Sequence, residues 1–269
     1  MVAFPPCKIN LGLNVLQKRV DGYHEIDTCF YPVPLTDILE MVPADEIIFT
    51  SSGLAIPGKP MDNLSVKAFQ LLQKDRSLKG AKIHLHKIIP TGAGLGGGSS
   101  DAAHTLRLAN DVFSLKLSTS DLTRYAEVLG SDCAYFLHNA PMMGSGRGEI
   151  LTAANPNLFG KYLILLNPGL HISTAEAYGG ISPRSPEQPL SSILAQPFTA
   201  WKSKLVNDFE ESVFGKFPLL RDLKEYLYAT GAVYASMSGS GSSIYALYEK
   251  EPMQDLSTVT SYVLWKGYL

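Results

Sequence analysis

The chain has 269 residues, 45% of them apolar and 18% charged, with a formal net charge of −2. That is apolar material for a substantial core, in one large domain or two joined lobes, and the missing basic excess argues against a nucleic-acid partner. Cys7, Cys29 and Cys133 are odd in number and form no CxxC pair, the pattern of a reducing cytoplasm. The start lacks a basic-then-apolar leader, and the longest apolar runs, such as 162–166, are too short for a bilayer, so no membrane partner is expected.

Residues 7–17 alternate. Ile9, Leu11, Leu13 and Val15 fall on one face and Lys8, Asn10, Gly12 and Asn14 on the other, which predicts a half-buried strand. A cation, two amides and a glycine are an unusual set for plain solvent, although Lys8 alone reads as a surface lysine. A turn at 19–22 leads into Tyr23 and His24, and a second strand is predicted near 26–32. A tyrosine beside a histidine can stack on and hydrogen-bond a flat heterocycle. Taken alone, the pair reads more readily as packing. A third strand is expected at 46–50, then a Gly/Pro-punctuated loop through Pro60. Asn63 caps a helix with Leu64, Ala68, Leu71 and Leu72 on one face.

The next strand, over 82–89, alternates polar and apolar residues. Its His84 and His86 form an H-x-H pair, but no third ligand follows nearby, and a wet strand face is the simpler reading. The strand enters the richest stretch of the chain: Pro90, Thr91, Gly92, Ala93, Gly94, Leu95, Gly96, Gly97, Gly98, Ser99 and Ser100. A helix follows, with Ala102, Ala103, Leu106 and Ala109 facing inward. Glycines let a backbone take positive φ and approach a ligand closely. A helix starting directly after them offers unpaired N–H groups and the positive end of its dipole. Together these make a phosphate seat. It is not a nucleoside-triphosphatase loop, because no lysine follows the glycines. G-x-G-x-x-G is present at Gly92, Gly94 and Gly97, yet any stretch this rich contains it. The alternating strand before it is also unlike the apolar strands that lead into dinucleotide loops.

A further helix is predicted from about 120, with Leu122, Tyr125, Ala126 and Leu129 at helical spacing and Gly130 as its stop. Asp132 then stands at the mouth of an apolar segment, and spacing alone reads it equally as a turn cap or a functional carboxylate. A looser glycine loop spans 144–148. The turn-rich 154–160 marks the expected boundary between lobes 1–155 and 156–269. Beyond it lie a buried strand at 162–166 and a short helix, capped by Ser173 or Thr174, that contains Tyr178. The stretch 182–189 is proline-rich and irregular. Helices are expected over 201–214 and 218–229, the second with Leu219, Leu220, Leu223 and Leu227 on one side. A Gly/Ser turn at 235–243 between two strands reads, alone, as a hairpin loop.

Three of these segments, in this order, resemble the motifs of the GHMP small-molecule kinases: residues 5–13 with Lys8 and Asn10, the glycine stretch with Asp101-Ala102-Ala103, and Met237-Ser238-Gly239-Ser240-Gly241. Asp21-Gly22-Tyr23-His24, the triple glycine before Ser99, Gly130-Ser131-Asp132 and 144–149 make the chain most similar to the branch that acts on a cytidine diphosphate ester of methylerythritol. The resemblance implies an α+β fold of two lobes, the first like domain 2 of ribosomal protein S5 and the second an α/β sandwich, with the active site in the cleft between them. It implies a small-molecule kinase of the non-mevalonate isoprenoid route, phosphorylating an alcohol with ATP and Mg²⁺. Residues 90–100 would hold the ATP phosphates and Asn63 would lie near the adenine. Asp132 would take the hydroxyl proton beside Lys8. Asn10 would meet the substrate, and Tyr23, His24 and Tyr178 would hold its cytosine. Ala134 and Tyr135 depart from the Pro and Phe usual in the family. Rival readings are a mevalonate, homoserine or sugar kinase, for which Tyr23 and His24 would be idle, and a silent nucleotide-binding regulator, which would be expected to have lost Lys8 or Asp132.

Overall fold

The computed structural model describes residues 1–269. A short β1 (Val2–Ala3) precedes two long strands, β2 (Pro6–Lys18) and β3 (His24–Thr36), and then β4 (Ile38–Ala44) and β5 (Ile48–Gly53). Helix α1 (Leu64–Arg76), strand β6 (Gly80–Lys87) and helices α2 (Gly97–Val112) and α3 (Thr119–Leu129) follow. The hairpin β7 (Met142–Ser145) and β8 (Ile150–Ala153) leads to β9 (Tyr162–Leu166) and two single-turn helices, α4 (Thr174–Tyr178) and α5 (Leu190–Leu194). Helices α6 (Phe209–Lys216) and α7 (Pro218–Ala229), the hairpin β10 (Tyr234–Met237) and β11 (Ile244–Tyr248), and β12 (Val263–Tyr268) complete the chain.

Two compact units are built from these elements, and neither is one continuous piece of chain. The first comprises Met1–Lys8, Pro34–Thr91 and Gly96–Asn139; the second comprises Ile9–Val33, Gly92–Leu95 and Ala140–Leu269. In the first unit a sheet runs in the order β1-β4-β6-β5, with β4 antiparallel and β5 parallel to β6. Leu39, Met41, Ile83 and Leu85 of this sheet are buried, as are Val66, Phe69 and Leu72 of α1 and Leu106 of α2. Asn63 caps α1 as expected, its side-chain oxygen accepting the N–H of Ser65 at 2.8 Å. Ser118 and Asp121 form a reciprocal capping box on α3.

The second unit holds an antiparallel sheet, β10-β11-β9-β12, and most of the sheet β2-β3-β7-β8. Its core joins Leu13, Val15 and Ile26 to Ile164, Leu166, Phe209 and Val213 and to one stripe of α7, Leu220, Leu223 and Leu227. Burying each such leucine contributes about 1.5–3 kcal/mol. No helix is long and apolar enough to cross a membrane.

Several expectations change. β2 is buried on both faces: Lys8, Asn10 and Asn14 are as inaccessible as Ile9 and Leu11, because structure covers the polar face as well. Residues 201–208 are not helical; the Val206 carbonyl and the Asp208 amide bond the backbone of Leu13 in β2 instead, and α6 begins at Phe209. Leu219 is exposed, since the buried stripe of α7 passes through Leu220. β4, between the second and third expected strands, was not anticipated; its polar–apolar alternation is diluted by Pro43 and flanking charges. The last four residues of the glycine stretch, Gly97 to Ser100, are already the first turn of α2.

Candidate active site

Three of the expected groups meet within the first unit. Lys8, near the start of β2, extends beneath the glycine stretch: a Cβ on Gly96 would lie 3.2 Å from Lys8 Cε and 2.8 Å from the Phe136 ring. The Lys8 ammonium ends 3.9 Å from Asp132 Oδ2, with its side chain 4% exposed and that of Asp132 32% exposed. Burial pulls the Lys8 pKa below its ordinary value, and the facing Asp132 carboxylate resists that shift. Asp132 stands in the turn after α3, where the Ser131 hydroxyl donates to Oδ1 at 3.4 Å. Next to it, burial raises the Cys133 thiol to about 11, with the side chain of Ser99 in α2 near enough to offset part of that rise. The turn carrying Asp132 therefore touches the opening turn of α2.

That opening turn has the features of an anion seat. Gly96 precedes it in the left-handed conformation, φ 70°, and no side chain caps the helix. Its first amides consequently lack the side-chain partner a capped helix supplies. The Ser100 hydroxyl is buried without a hydrogen-bond partner. A Cβ on Gly98 would meet only Leu64 Cδ1, at 3.8 Å, so the protein's own packing does not require glycine there. Gly97 differs, because its Cβ would strike Ile89 at 2.8 Å.

Of the remaining expected positions, Ala93 and Leu95 bury their side chains and can offer a ligand only backbone. Gly94 serves packing: in the second unit its Cβ would fall 2.0 Å from the Ser238 carbonyl. Ser238 Oγ donates to the Gly94 carbonyl at 2.9 Å, and the Ser243 amide to that of Ala93 at 3.2 Å. The turn at 235–243, which alone read as a hairpin loop, is thus a hairpin that also braces residues 93–94. Gly92 takes φ 70°, with His171 beside it. Asn63 has its side-chain oxygen engaged in the cap of α1, which leaves its NH₂ group for an adenine contact.

The second unit groups the expected substrate residues. His24 and Tyr178 stack, with ring centroids 4.5 Å apart and planes 17° from parallel, and Phe209 meets Tyr178 edge-on at 4.8 Å. Burial, reinforced by Lys18, lowers the His24 pKa from 6.5 and favours the neutral imidazole, with one donor and one acceptor nitrogen. Tyr23 is not part of that stack: its ring is exposed, with the Arg147 guanidinium 4.9 Å above its centroid. Asn10 donates its amide to Thr28 Oγ1 at 2.9 Å, Thr28 donates to the Gly12 carbonyl at 2.6 Å, and Tyr245 donates to the Asn10 carbonyl at 2.7 Å.

A model of the GHMP kinases N terminal domain matches residues 63–140, and one of the GHMP kinases C terminal region matches 192–257. The chain is 51% identical over 253 residues to a 4-diphosphocytidyl-2-C-methyl-D-erythritol kinase of Cytophaga hutchinsonii, covering 94% of each chain. With the kinase of the same name from Bacteroides thetaiotaomicron the identity is 46%, covering 100% of each. The chain belongs to the GHMP kinase family. A crystal structure of a 4-(cytidine 5'-diphospho)-2C-methyl-D-erythritol kinase superposes with a TM-score of 0.79 at 32% identity, covering 93% of this chain and 91% of that one. A GHMP kinase is a small-molecule phosphotransferase with an α+β fold, as the sequence motifs implied.

Two groups of residues around this kinase's motifs escaped the sequence reading. Asp37, Lys87 and Asp101 form a buried cluster at the ends of the glycine stretch. A signal for Lys87 existed: alternation places it on the inward face with Ile83 and Leu85, where a lysine needs a partner. Asn207 donates to the carbonyls of Met237 and Gly239 at 2.8 and 2.9 Å, while Glu210 accepts the amide of Met237 at 2.8 Å, so both hold the third motif. No spacing in the sequence links these two residues to residue 237.

Proposed function

We propose that the chain transfers the γ-phosphoryl group of ATP to the 2-hydroxyl of 4-diphosphocytidyl-2-C-methyl-D-erythritol, an alcohol phosphorylation in the non-mevalonate route to isoprenoid precursors. The observation that carries this reading is the meeting of Lys8, Asp132 and the uncapped start of α2 within one unit. Phosphoryl transfer proceeds through a loose transition state, so catalysis rests on positioning and charge neutralisation. Asp132 accepts the proton of the attacking hydroxyl. Lys8, held in a buried position beside it, fixes that carboxylate and faces the transferring group. The backbone amides of 96–99 and the Ser100 hydroxyl receive phosphate oxygens. Mg²⁺ would enter with the nucleotide, bound through phosphate oxygens that suit a hard cation. Its part would be to neutralise phosphate charge.

His24 reads the edge of the cytosine as a neutral imidazole backed by Tyr178, Tyr23 covers a face of the base, and Asn10 orients the polyol. Asn63 meets the adenine through its NH₂ group. The three buried free cysteines favour a cytoplasmic setting. The division into lobes 1–155 and 156–269 is kept as a proposal about the two modules, supported by family matches that fall one in each. A steady-state panel offering the cytidyl substrate, mevalonate and homoserine with ATP tests the assignment. ADP release with the cytidyl compound alone is expected, and turnover of mevalonate or homoserine alone would overturn it.

A further inference from the structure

Lys87 closes β6 with a buried side chain, its ammonium 2.7 Å from Asp101 Oδ2 and also bonded to Asp37 Oδ2. Asp37 uses its other oxygen to accept the backbone amides of Ile88 at 2.5 Å and Ile89 at 2.8 Å. Ile88 and Ile89 are the last residues before Pro90, and Asp101 is the fifth residue of α2. One cluster therefore grips both ends of the glycine stretch: Asp37 the strand side, Asp101 the helix side, Lys87 the link. The ends also pack on each other, because a Cβ on Gly97 would lie 2.8 Å from Ile89 and 3.1 Å from Lys87 Nζ.

Stability alone does not account for this cluster. Two carboxylates share one ammonium, and Asp101 Oδ1 is buried with no hydrogen-bond partner. Buried ions are costly to desolvate, and apolar replacements of similar volume often match or exceed them in stability. What the ions supply is direction, since each bond fixes a particular oxygen to a particular donor. Lys87 is not itself a phosphate ligand, because its side chain is 2% exposed and its charge is already shared by two carboxylates.

We propose that Asp101, acting through Lys87 and Asp37, is a positioning residue that sets the first turn of α2 in register to receive the nucleotide's phosphates. The proposal rests on the reading of that turn as the phosphate seat. Displacing catalytic or binding groups by about 1 Å can cost up to roughly 10²-fold, so the cluster can matter greatly without touching ligand.

The test compares ATP and AMP dissociation constants, by calorimetry on the full chain, for the wild type, Asp101→Ala and Asp101→Asn. Either substitution leaves a neutral Lys87–Asp37 pair, and the asparagine oxygen can still accept from Lys87. The wild type is expected to bind ATP more tightly than AMP. In Asp101→Ala that preference should shrink by about tenfold or more, with AMP affinity and the KM of the cytidyl substrate within about twofold of wild type. Asp101→Asn should restore most of the preference. If the alanine variant does not fold, Asp101→Leu, which refills the volume, takes its place. A wild type that binds ATP and AMP equally removes the phosphate seat and this proposal with it. A normal wild-type preference that persists in a folded Asp101→Ala or Asp101→Leu chain, or that is lost equally with Asn and Ala, overturns the positioning role alone.

Discussion

Asp132 and Lys8 are too far apart, at 3.9 Å, for a direct hydrogen bond, yet near enough to attract. Asp132→Asn keeps the shape and removes the base. Turnover should fall by roughly 10²–10⁴-fold, the range for a positioned base, with the KM of both substrates little changed. A near-normal kcat with a raised KM would assign Asp132 to binding only. His24 makes a separate prediction through pH. Its folded-state pKa lies below 6.5, so the imidazole is neutral at pH 7 and gains a proton only on acidification. Protonation turns its acceptor nitrogen into a donor, so kcat/KM for the cytidyl substrate should drop as pH falls through a midpoint below 6.5. The same drop in a His24→Gln variant would assign the titration to another group.

Among the elements, the glycine stretch shows how unequal neighbouring glycines are. Gly94 takes φ 77° with its Cα against the Ser238 carbonyl, whereas Gly98 sits in an ordinary helical turn with room for a methyl group. Gly94→Ala should therefore destabilise the fold by about 1–3 kcal/mol or more through backbone strain and displacement of the third motif. Gly98→Ala should melt within a degree or two of wild type, because surface helix positions tolerate alanine well, yet lose most of its ATP affinity. Normal ATP binding by Gly98→Ala would contradict the seat. Both glycines look alike in the sequence; only what approaches them in space tells them apart. The same holds for the strands. Alternation found β2 and placed Lys8 with Asn10, but alternation cannot tell a wet polar face from a covered one. Asn63 as a cap, 162–166 as a strand and a cap at Ser173 or Thr174, which the structure gives to Ser173, were legible because each rule acts within a few residues. The grip of Asp37 on the amides of 88–89 and of Asn207 on the carbonyls of 237 and 239 was not, since those partners lie about 50 and 30 residues away.

For the whole molecule, the turn-rich junction near 155 marks the proposed division into two modules, while the compact units are each assembled from separate stretches of chain. β2 and β3 contribute to both, and residues 92–95 of the glycine stretch group with the second unit while 96–100 belong to the first. Long strands that serve two units leave no compositional seam, so no change in charge or glycine content marks the crossing. The motifs were still recognisable because each is local, even where the units they serve are not. The assigned roles follow the same division, with Lys8, Asp132 and the start of α2 in the first unit and Asn10, His24 and Tyr178 in the second. The most direct test of the account is a ³¹P spectrum of the products formed from ATP and 4-diphosphocytidyl-2-C-methyl-D-erythritol by the full-length chain. A new phosphomonoester resonance on the polyol, equal in amount to the ADP formed and with the cytidine diphosphate signals intact, is predicted. ADP without a new ester, or an ester formed at the expense of the diphosphate bridge, would contradict it.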